Sequence, residues 1–148
     1  MVSCSDTARY RWFDANGQTP LFEFGAGLSY TSFSFTKLNI TDNPPTISCC
    51  VTNTGELAGS EVVQLYLGFP APAGEPPRLL KGFEKVALVP RQTATVHFTL
   101  TPRDLSVYDT LTHAWTLQTG NFTVEIGSSS RLLPLHGSLV VVDFGQMQ

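Results

Sequence analysis

The sequence predicts an all-β protein, a sandwich of short antiparallel strands, on three observations. Short runs alternate apolar and polar residues, as a strand with one buried face requires. Turn formers separate the runs, with 12 Gly and 10 Pro in 148 residues and abundant Ser and Thr. No segment sustains the period of an amphipathic helix beyond one turn.

Residues 1–30 read as an aromatic arm carrying Tyr10, Trp12, Phe13, Phe22, Phe24 and Tyr30, with a turn at Asp14-Ala15-Asn16-Gly17. Gly25 and Gly27 interrupt it, where positive φ or close backbone approach is expected. Residues 31–148 read as the sandwich. Phe33 and Phe35 share one face while Leu38 and Ile40 fall on the other parity, which predicts a bulge near Thr36-Lys37. Pro44-Pro45 ends that strand. Ile47, Cys49 and Val51 alternate with Ser48, Cys50 and Thr52 in the next one.

Asn53 to Gly59 is a loop whose Asn53 side chain is expected to cap a turn. The strand Glu61–Phe69 carries Val63, Leu65 and Leu67 on one face and Val62 and Tyr66 on the other, so it is expected at the centre, covered on both sides. Residues 70–77 form a loop, because four of the eight are proline and cannot donate to a ladder. Leu79–Val89 is extended, with a bulge and an anchored ring at Lys81-Gly82-Phe83, and Pro90-Arg91-Gln92 turns the chain. Val96, Phe98 and Leu100 mark a half-buried strand. Thr101-Pro102-Arg103-Asp104 has an N-cap threonine followed by proline, predicting one helical turn over 102–107. Trp115–Gln118 and Phe122–Ile126 are expected to pair as a hairpin, and Leu139–Val142 is the last strand. Seven or eight short strands so spaced predict a Greek-key sandwich of the immunoglobulin type.

Composition narrows the function. The net charge is −3, so no basic field points to nucleic acid or to an anionic membrane. No apolar run reaches the ~18 residues of a membrane span. Met1-Val2-Ser3-Cys4-Ser5-Asp6 lacks the regions of a secretory leader, so the start reads as a cut in a longer protein. Three cysteines, Cys4, Cys49 and Cys50, make no disulfide framework, although Cys4 pairing with either neighbour stays open. His97, His113 and His136 have no ligand-like spacing, so no metal and no cofactor are expected. The sequons at Asn39 and Asn121 are candidate glycosylation sites and favour an extracellular protein.

Four ordered blocks carry a resemblance. Phe22-Glu23-Phe24-Gly25-Ala26-Gly27-Leu28-Ser29-Tyr30-Thr31 is the first, and Val51-Thr52-Asn53-Thr54-Gly55 with Gly59-Ser60-Glu61-Val62-Val63-Gln64-Leu65-Tyr66 the second. Arg78-Leu79-Leu80-Lys81-Gly82-Phe83-Glu84-Lys85-Val86 is the third. Arg103-Asp104-Leu105-Ser106-Val107-Tyr108-Asp109, then Trp115 and Gly120-Asn121-Phe122-Thr123-Val124, closes the set. Over about residues 9–142, the chain resembles the C-terminal fibronectin type III-like domain of family 3 glycoside hydrolases, the β-glucosidase and β-xylosidase group. In sandwiches related to it a tyrosine hydroxyl caps a corner, the role expected of Tyr108.

The resemblance implies that the catalytic acids lie in other domains. Glycoside hydrolysis uses two carboxyls roughly 5–9.5 Å apart across the sugar, and none of the 12 acidic residues forms such a motif. The chain alone is therefore expected to be inert, an accessory domain that stabilises catalytic domains through Tyr10, Trp12, Phe13, Phe22 and Phe24. Two alternatives stand beside this: binding of carbohydrate or cell-wall polymer, with Trp12 or Trp115 stacking on sugar rings, and a free-standing module whose arm drives homodimerisation.

Overall fold

A computed structural model describes residues 10–142. One short helix, α1 (Tyr10–Ala15), precedes nine strands: β1 (Phe33–Asp42), β2 (Pro45–Asn53), β3 (Gly59–Gly68), β4 (Leu79–Leu88), β5 (Thr93–Thr99), β6 (Ser106–Asp109), β7 (Ala114–Leu117), β8 (Gly120–Gly127) and β9 (Leu135–Val141). They form a three-stranded sheet in the order β1-β2-β5, a four-stranded sheet in the order β4-β3-β8-β9, and a two-stranded β6-β7 ribbon. Every pairing is antiparallel. The two larger sheets face each other over a core of Ile47, Cys49, Val51, Val63, Leu65, Leu67, Val96, Phe98, Phe122, Val124, Ile126 and Leu139. These residues occupy alternate positions of their strands, as the pleat dictates.

The local expectations hold in most places. The β1–β2 register slips between Thr36 and Asn39, and Lys37 takes a φ of 55° there. Asn53 is fully buried and caps its loop: Oδ1 accepts from the Gly55 N–H and the Thr31 hydroxyl, and Nδ2 donates to the carbonyls of Leu57 and Leu88. β3 is central, flanked by β4 and β8, and both its faces are covered. The β3–β4 register skips Lys81, the expected bulge.

Five expectations are corrected. Residues 102–107 do not form a helical turn: the Thr101 N–H and hydroxyl both donate to Asp104 Oδ2, closing one tight turn, and β6 starts at Ser106. Valine and tyrosine at 107–108 pair with Thr116 and Trp115, which stops propagation of a helix. Nor do residues 115–118 and 122–126 form a hairpin. β7 is exposed throughout and pairs with β6, whereas Phe122, Val124 and Ile126 are fully buried, so β8 leaves for the core between β3 and β9. The Phe83 ring is not anchored, being 71% exposed on edge strand β4. Tyr108 does not cap a corner; its ring packs against Trp115, with centroids 5.4 Å apart. Of the two arm glycines only Gly25 has positive φ, while Gly27 stands in open space.

Candidate docking surface

The arm divides into an inner and an outer face. On the inner face, Tyr10 sits on the outer surface of the four-stranded sheet, its ring 5.1 Å from Phe24 and edge-on to Tyr66 at 5.8 Å. Its hydroxyl accepts the Leu80 N–H at 2.9 Å, beside the bulge. Beneath it, the Tyr66 hydroxyl donates to Gln64 Oε1 and Gln64 Nε2 donates to the Ser128 carbonyl, both at 2.6 Å. Burial pushes the Tyr66 phenol well above the ordinary tyrosine range. Gly25, at φ +82°, lies directly on the Gln64 amide, where any side chain would collide.

An ion cluster holds α1 in place. Asp14, with only 5% of its side chain accessible, meets Arg131 Nη2 at 2.9 Å through Oδ1 and Arg78 Nε at 3.4 Å through Oδ2. Arg78 Nε also faces Glu125 Oε2 at 3.5 Å, and its Nη1 donates to the Ser130 carbonyl. A carboxylate this buried is tolerable because two guanidiniums meet it. The loop after β8 completes the clamp. The Ser129 hydroxyl donates to Glu23 Oε1, the Ser130 N–H to the Phe24 carbonyl, and Arg131 Nη2 to the Gln18 carbonyl, all at 2.8 Å.

The outer face is left bare. Leu21, Phe22, Leu28 and Tyr30 are 82–106% exposed, an apolar strip on a segment whose backbone is fixed. Next to it, Tyr10, Phe13, Pro20, Phe22 and Phe24 surround an apolar hollow of about 210 Å³. Of the arm aromatics singled out from sequence, Tyr10 and Phe24 thus turn inward, while Phe13 and Phe22 rim the hollow. Trp12 is 45% exposed and edge-on to Phe13. Leu21 and Arg131 carried no signal beyond composition; Leu28 and Arg78 stood in the resemblance blocks and Asp14 in a turn, with nothing to mark them for this surface or its clamp.

The other candidates lie elsewhere. Trp115 belongs to the ribbon; the Arg103 guanidinium covers one face of its ring at 3.6 Å and Tyr108 flanks it. Asn39 on β1 and Asn121 on β8 are exposed. Cys49 and Cys50 are free thiols on opposite faces, and burial pushes the Cys49 thiol up to about 11. Cys4 lies outside the described residues. Lys81, on the bulge, rests its ammonium 5.0 Å from the Phe69 ring, and burial lowers its pKa.

Among the described residues no three His, Cys, Asp or Glu side chains cluster as a metal site would need, and no helix is long and apolar enough to cross a membrane. Two acids, Asp14 and Glu125, both face Arg78 beneath the arm.

A family model for the fibronectin type III-like domain matches residues 61–130. The chain is 43% identical to probable β-glucosidase M of Aspergillus flavus, over 89% of this chain and 20% of that protein. It is 41% identical to β-glucosidase cel3A of Pyricularia oryzae, over 89% and 19%. The chain belongs to the fibronectin type III-like domains of family 3 β-glucosidases. Two solved relatives superpose on this fibronectin type III-like domain. β-Glucosidase D2-BGL from Chaetomella raphigera does so with a TM-score of 0.86 and 37% identity, over 90% of this chain and 22% of that one. The β-D-glucoside glucohydrolase of Trichoderma reesei gives 0.85 and 34%, over the same shares. The domain therefore spans about a fifth of the length of the curated relatives it matches.

Proposed function

We propose that this domain is a non-catalytic brace of a family 3 β-glucosidase, stabilising the domains that hydrolyse terminal β-glycosidic bonds. The observation that carries this reading is the outer strip: Leu21, Phe22, Leu28 and Tyr30 are bare although the segment bearing them is clamped to the sheet. Large apolar side chains held in water mark an interface, and relatives about five times as long supply a partner for it. Among the described residues, Asp14 and Glu125 share Arg78 beneath the arm, which supports a structural role for these acids. Exposed sequons at Asn39 and Asn121 favour a secreted parent. Stacking of sugar on Trp115 is the weaker reading, since Arg103 already occupies a ring face.

The test is a transplant. Residues 10–142 replace the matching segment of the Chaetomella raphigera β-glucosidase, and aryl β-glucoside hydrolysis is followed alongside the isolated chain. An active chimera, an inert isolated chain and an unstable truncated enzyme are expected. Turnover by the isolated chain, or a truncated enzyme as durable as the chimera, would overturn the reading.

A further inference from the structure

We propose that Asn16 is a site of spontaneous covalent modification, deamidating through a succinimide with Gly17 and so loosening the end of α1 from the sheet. The chain has five asparagines, at 16, 39, 43, 53 and 121, and Asn16 alone precedes glycine. Ring closure requires the next residue's backbone nitrogen to reach the asparagine Cγ, which a following side chain obstructs. Ile40, Thr54 and Phe122 present such side chains, and Pro44 has no N–H to give up. Asn53 is fully buried with its amide oxygen and nitrogen both bonded, and Asn39 and Asn121 lie within strands β1 and β8.

Asn16 lies outside any strand and precedes a residue with no side chain. It is exposed, it follows the last residue of a six-residue helix, and Gly17 adopts φ +62° with nothing within 4 Å of where a Cβ would stand. Four bonds hold the turn: Asn16 Nδ2 and N both donate to the Trp12 carbonyl, at 2.8 and 3.1 Å, the Gly17 N–H donates to the Asp14 carbonyl at 3.3 Å, and the Gln18 N–H to the Phe13 carbonyl at 2.8 Å. A helix this short has little stability of its own, so local opening of the exposed Asn16–Gly17 turn, beyond the Asp14 anchor, frees both reacting groups.

The chemistry balances without a cofactor. Solvent hydroxide removes the Gly17 amide proton to form water, the nitrogen attacks Asn16 Cγ, the new C–N bond forms, and the Cγ–Nδ2 bond breaks as Nδ2 takes a proton from water and leaves as ammonia, regenerating hydroxide. Water then opens the succinimide at either carbonyl, giving aspartate or isoaspartate. The new carboxylate cannot donate to the Trp12 carbonyl, and it places an anion at the negative end of the helix dipole. Isoaspartate also lengthens the main chain between Asp14 and Gln18, two groups that Arg131 grips.

The experiment incubates the full chain in warm, mildly alkaline buffer and maps peptides by mass spectrometry with isoaspartate detection. The mass gain of deamidation is expected at Asn16 well before Asn39, Asn53 or Asn121. Gly17→Ala and Asn16→Gln should each slow it several-fold; the glutamine variant covers the case in which alanine at φ +62° disturbs folding. The modified fraction, isolated by ion exchange, should lose hydrogen-exchange protection at α1 amides and keep it in β3 and β8. An unconverted Asn16, or conversion no faster than at Asn39 and Asn121, overturns the site. Unchanged α1 protection after conversion overturns its structural effect.

Discussion

β2 and β3 both lie at the centre of their sheets, yet their outward faces are opposites. β2 turns Ser48, Cys50 and Thr52 to solvent, and its neighbour β5 adds Thr93, Thr95 and His97. Hydroxyls pair across that surface, as Thr52 and Thr93 do at 2.8 Å. β3 instead turns Gln64 and Tyr66 outward, and both are buried under the arm. One sheet is finished by water and the other by a clamped segment of its own chain. The strip on that segment's far side, Leu21, Phe22, Leu28 and Tyr30, is a strongly apolar layer still without a cover among the described residues. Burial is built outward in steps on one side of the sandwich.

The sharpest way to break this contrast is Tyr66→Ala. If the arm makes the outer face of β3 a true interior, the change costs about 3–5 kcal/mol in urea unfolding, as a core aromatic does. A cost below about 1 kcal/mol would mean that the arm merely lies nearby. Asp14→Asn comes next, leaving Arg78 and Arg131 facing a neutral amide. A loss of about 1–3 kcal/mol is expected, below that of a fully buried pair because both arginines retain some water. Faster hydrogen exchange confined to residues 10–30 would show the clamp as the origin.

The adjacent cysteines sharpen the contrast by pH. Cys49 faces the core and its thiol titrates at about 11, raised from 9.0 by burial and then by Cys50. Below pH 9 both folded and unfolded chains keep that proton. Between 9.0 and about 11 the unfolded chain releases it first, so stability falls as pH rises through this window. Cys49→Ala should lessen the fall measured between about pH 8 and about pH 10.5, and Cys50→Ala should lessen it by less, since burial is the larger cause. Thr52→Ala, on the watered face, is expected to change stability by no more than about 0.5 kcal/mol.

The sandwich was legible because its signals are local. Alternation in Ile47-Cys49-Val51, the parity change at Lys37 and the asparagine at 53 each report a nearest-neighbour constraint. The double-sided hydrophobicity of β3 even announced a cover, without naming it. What stayed hidden depends on partners distant in the chain. α1 is too short to show a period, and its stability comes from Arg78 and Arg131, more than 60 residues away. β7 has the composition of a strand, but only its wholly exposed surface explains why it pairs backwards with β6. The candidate site was half legible: the arm aromatics were visible, but which turn inward depends on Asp14 and the loop at Ser128–Arg131.

The strip itself offers the most direct measurement. Leu28→Ser and Tyr30→Ser together, placed in the isolated chain and in the β-glucosidase chimera, separate folding from docking. A brace predicts an unchanged unfolding midpoint for the isolated chain and a clearly shortened thermal half-life of the chimera's glucosidase activity. Equal half-lives for the substituted and unsubstituted chimeras would contradict it.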